Sequence, residues 1–136
     1  MSHLLITHSY LRFLVLFSTL AFAVIVLSGV LQRRLPGRVD RIAGGIFCGF
    51  IDMQLVLGLV MVLSGHLTRA LHAHVGTMLL LVVIAHFASV MNRRRTPGHS
   101  TPAVVFTLLA VALVGTGILV LGRGGLFGGI AIGAHS

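Results

Sequence analysis

Two histidines and one arginine, placed near the same end of two apolar runs, are the residues of this chain best suited to chemistry. The first run opens His8-Ser9-Tyr10-Leu11-Arg12, the third carries His74 near its start, and His86 follows twelve residues later. Ionisable side chains are expensive in hydrocarbon, and their presence there marks a functional site by default. Neutral imidazole nitrogens can serve as axial ligands to a haem iron. A guanidinium can pair with a haem propionate that would otherwise be an uncompensated carboxylate at the membrane edge. His8 and His74 are accordingly the candidate iron ligands. Arg12, one helical turn from His8 on the same face, is the candidate propionate partner.

Positioning those groups requires helices, and composition says in which solvent. The 136 residues are 57% hydrophobic and 9% charged, with a mean hydropathy of +1.07. Soluble domains carry roughly 25% charged residues, so the bilayer is the expected surroundings. A span needs about 20 apolar residues, and four stretches qualify: 8–31, 43–65, 73–91 and 102–122. Backbone groups in lipid must be satisfied within the segment, which makes each span a helix. Short connections favour antiparallel neighbours, so the expected fold is an all-α, up-down-up-down bundle of four transmembrane helices forming one domain. The glycine-rich tail, 122–136, is expected to be irregular or interfacial.

All ten cations are arginines. Seven lie in loops one and three (Arg33, Arg34, Arg38, Arg41, Arg93, Arg94 and Arg95), against Arg12, Arg69 and Arg123 on the other side. That bias places loops one and three in the cytoplasm and both termini in the periplasm of a bacterial inner membrane. No groove-reading or base-stacking motif accompanies the arginines, so nucleic acid is not an expected partner. The first apolar run is longer than a signal peptide's 7–15 residues and lacks a basic leader, and is read as a permanent span. Lone Cys48 is read as a small packing residue.

Helices one and three run in the same direction and sit diagonally in such a bundle, which brings His8 and His74 to one level near the outer face. On the inner half, His86 and Asp52 lie about 10–14 Å from the opposite edge. They are expected to pair, with Gln54 as a nearby polar group, because a lone buried Asp52 would cost several kcal/mol. His74 and His86 are about 120° apart around one helix, which argues against two stacked haems. A rival metal site of His66, His72 and His74 requires a non-helical segment, since His72 and His74 are about 200° apart on a helix. Gly45 with Gly49, and Ala85 with Ser89, are small-xxx-small pairs suited to close helix approach.

These elements resemble a group of small bacterial four-helix membrane proteins described as cytochrome-b-like. The resemblance covers roughly the first three helices. It is carried by His8-Ser9-Tyr10-Leu11-Arg12, by Gln54-Leu55-Val56-Leu57-Gly58-Leu59, and by His74 through Met78-Leu79 to Ala85-His86. The group often has a histidine two residues before the glutamine, where this chain has Asp52. The resemblance therefore implies one retained outer haem b and a lost inner one, with electron transfer as the function. Quinone or bound lipid would be further ligands, and other subunits of a membrane complex would be partners. The alternative is a cofactor-free accessory subunit of a respiratory or photosynthetic complex. No nucleophile–base constellation or phosphate loop points to an independent enzyme.

Overall fold

The computed structural model describes residues 2–64 and 69–122, with side chains over 3–64 and 73–119. Four helices follow one another: α1 (Ser2–Leu31), α2 (Arg38–Leu63), α3 (Arg69–Arg93) and α4 (Thr101–Gly122). All four are long and apolar enough to cross a membrane, which makes the chain a multi-pass membrane protein. The expected tail, along with Arg123 and His135, lies outside the described residues.

All four helices start earlier than apolar length alone predicts, at residues 2, 38, 69 and 101 against the expected 8, 43, 73 and 102. Hydropathy marks where hydrocarbon begins, whereas a helix continues into the polar interface until its backbone is capped. At the start of α2, Asp40 accepts the Gly37 N–H at 2.9 Å, which satisfies one of the free donors of the first turn. At the end of α1, Arg34 N–H reaches the Gly29 carbonyl (2.9 Å) and Arg33 N–H reaches the Val30 carbonyl (3.1 Å). This is a Schellman closure, and Arg33 takes the left-handed position at φ 51° that glycine usually fills. Pro36 follows, where the chain has already left the helix.

Each helix packs on its neighbours in a closed ring, α1 on α2, α2 on α3, α3 on α4 and α4 back on α1. This leaves α1 and α3 on one diagonal, as expected. In the core, Phe22 and Phe47 stack with ring centres 4.8 Å apart. On α3 and α4 its buried members are Leu81, Ala85, Ala88, Ala103, Ala110 and Val114. Ala85 and Ser89 lie in the α2–α3 seam, where Cys48 is buried and its thiol donates to the Ala85 carbonyl at 3.6 Å. The close backbone approach uses Gly44, where an added Cβ would stand 2.5 Å from Ser89 Oγ. Gly45 and Gly49, expected to serve that purpose within the bundle, face outward with nothing within 4 Å of an added Cβ.

The arginine-rich end carries more than a topology signal. Asp40 is buried there and gathers two connections onto itself. Arg34 donates to its carboxylate at 2.6 Å, and Asn92 and Arg95 donate at 3.4 Å each. Arg95, itself buried, also donates to the Arg34 carbonyl at 2.6 Å and to Asn92 Oδ1 at 3.1 Å. The α1–α2 and α3–α4 connections are thereby latched together. The Asp40 bond also holds the Arg34 guanidinium above its ordinary pKa.

Candidate functional site

At the other end of the bundle the α1–α3 diagonal brings His8 and His74 together. Their ring centres are 6.1 Å apart and the ring planes cross at 81°. A metal–imidazole bond of about 2.0–2.1 Å places two imidazoles that share one metal ion roughly 6 Å apart, centre to centre. The two rings thus stand edge to face at a separation that one shared metal ion could bridge. Both residues are half-buried, within the first turns of their helices, where the apolar flanks of all four helices converge.

A cavity of about 40 Å³ opens between them. Its polar lining is His8, Arg12, Gln54, His74 and Thr77, over a floor that includes Val15, Leu81 and Val114. Five buried side-chain nitrogen or oxygen atoms make no hydrogen bond among the described residues, and four belong to this lining: His8 Nδ1, Arg12 Nε, Gln54 Oε1 and His74 Nε2. Each unsatisfied buried polar group costs about 1–3 kcal/mol. Four of these atoms converge on one cavity, where each would need a partner, such as water or a ligand, beyond the described residues.

Gln54 was expected beside Asp52 and His86, and it belongs here instead. Its side-chain amide donates to His8 Nε2 at 3.2 Å and to the His8 carbonyl at 3.3 Å. In that arrangement His8 Nε2 is the acceptor and Nδ1 carries the proton. Gln54 stands two positions after Asp52, about 200° of helix rotation, so the two cannot share a face. The same rule applied to α2 would have separated Gln54 from Asp52 on the sequence alone. Gly58, one turn on from Gln54, also meets His8: an added Cβ would lie 3.7 Å from the ring carbon Cε1. The glutamine and the glycine of the Gln54–Leu59 segment thus both serve the His8 ring.

Asp52 and His86 pair as expected, with His86 Nε2 3.1 Å from Asp52 Oδ1. Their position differs from expectation, because both side chains lie on the outer surface of the bundle, away from the cavity. The rival outer metal site finds no support in the helix geometry. His72 and His74 both stand within helical α3, about 200° apart, and His66 lies outside the described residues. Among the described residues no group of three or more His, Cys, Asp or Glu side chains could hold a metal ion.

Comparison with protein-family models, with curated proteins and with solved structures finds no match.

Proposed function

We propose that the chain is an integral membrane b-type cytochrome unit that carries one haem at the His8–His74 site and takes part in electron transfer. The observation that supports this reading most is the pair of imidazoles 6.1 Å apart on diagonal helices, in a cavity lined by four unpartnered polar atoms. His8 and His74 would hold the iron through their nitrogens, and Arg12 would face a propionate. Gln54 fixes the orientation of the His8 ring from the side and would yield Nε2 to the iron. A bound haem would supply a one-electron couple, which the two histidines and the apolar walls around them would tune.

The arginine bias supports an orientation in a bacterial inner membrane with this site toward the periplasm and the Asp40 latch toward the cytoplasm. Its electron partners would be a quinol in the bilayer and a periplasmic acceptor, within or beside a larger membrane complex. Nothing in the site calls for nucleic acid, and membrane lipid is the remaining contact.

A second reading is favoured by the size of the cavity. About 40 Å³ admits a few waters and not a macrocycle, so a haem must part the walls around Leu113 and Ile118. If the walls stay closed, the chain is a cofactor-free accessory subunit. Absorption spectra of His8→Ala, His74→Ala and His86→Ala variants, purified with their helical content intact, separate the readings. The first two are expected to lose the Soret band and the third to keep it. Bands unchanged in all three, or absent from all and from the wild type, would refute haem ligation at this site.

A further inference from the structure

The second polar pair of the spanning region faces out of the bundle. His86 Nε2 lies 3.1 Å and 3.2 Å from the two Asp52 oxygens, yet the side chains remain 52% and 46% open. Asp52 stands eleven residues past Arg41, and His86 seven residues before Arg93, about 16 Å and 10 Å from the arginine-rich end. That depth is well inside a hydrocarbon core of about 30 Å. Long cationic side chains can extend their heads to the interface from such positions, but a carboxylate one carbon from the backbone cannot. Ionisable groups in a span ordinarily face the bundle interior or a water-filled cavity. This pair instead sits among exposed Val56, Leu79, Val83 and Val90. The second nitrogen of His86 has no partner among the described residues, and the carboxylate keeps free lone pairs. Hydrocarbon cannot satisfy either group.

We propose that this face is covered by a second copy of the chain in a symmetric dimer. The argument is charge complementarity. A two-fold interface sets the same patch against itself, and a patch holding one acid beside one base is complementary to its own image. A two-fold axis beside the pair turns Asp52 of each copy toward His86 of the other. A different subunit would need its own acid and base at the same depth, whereas this chain carries both. The surface also permits close approach. Gly45 and Gly49 lie within about 20° and 60° of Asp52 around α2, and an added Cβ at either would meet nothing within 4 Å.

Exchanging the charges tests the proposal. Asp52→His leaves two bases in the patch and His86→Asp leaves two acids, so neither variant matches its own image, but each matches the other. Masses measured in detergent, and co-purification of differently tagged copies from membranes, give the readout. The wild type is expected at the two-chain mass and each single variant at the one-chain mass. The two variants expressed together should return to two chains, one of each kind. A chain bearing both exchanges keeps an inverted pair and should dimerise as the wild type does, which controls for loss of folding. A one-chain wild type, dimers that persist in either single variant, or single variants that fail to pair with each other would overturn the proposal. So would a wild type that purifies with a different protein and never with itself.

Discussion

At the residue scale the candidate site depends on how the His8 ring is held. Gln54 fixes it by a hydrogen bond and Gly58 by leaving room beneath it. A methyl group at position 58 would stand at ordinary van der Waals distance, whereas a larger side chain would occupy the volume of the ring. Gly58→Ala is therefore expected to keep haem binding and Gly58→Leu to lose it, with the helical circular dichroism of both unchanged. Haem absorbance per chain measures the difference, and equal absorbance in the two variants would remove Gly58 from the site. His8, Arg12 and His74 were readable from the sequence because depth along a span follows from a fixed rise per residue. Gln54 was misassigned because depth was considered without rotation. The outward face of Asp52 and His86 was not readable at all, since amphipathic patterning has little contrast where lipid and core are both apolar.

At the element scale the helices are ordered by what fastens their ends. Asp40 is the only acid at the arginine-rich end, and it collects Arg34, Asn92 and Arg95 from two separate connections. Removing one partner of a buried ionic group leaves the other charge uncompensated, at a cost of about 3–5 kcal/mol. Asp40→Ala is expected to destabilise the bundle by that amount, because Arg95 remains buried without a counter-ion. Thermal unfolding in detergent, followed by circular dichroism, checks this. A change below about 1 kcal/mol, the worth of an exposed pair, would show that the latch is solvated and weak. Gly29 belongs to the same device, since an added Cβ there would come within 2.6 Å of the Arg95 guanidinium. The sequence displays the arginines as a topology signal and gives no hint that one acid spends two of them internally. Long-range pairing between connections cannot be read from local pattern, whereas the four spans could be, because each exceeds the length that lipid demands.

For the whole molecule, the two ends have separate tasks. One end is latched by charge and closes the bundle, while at the other four polar atoms around a narrow cavity have no hydrogen-bond partner among the described residues. A stability optimum would fill that cavity with apolar side chains, so the polar lining points to function at the expense of packing. The central claim is that the lining holds a haem between His8 and His74. The most direct measurement is the dithionite-reduced minus oxidised absorption spectrum of the purified wild-type protein, with haem supplied during expression. A sharp b-type α band and Soret band, at one haem per chain, is the predicted result. A folded, helical preparation that shows no such bands and takes up no haem on titration would contradict it.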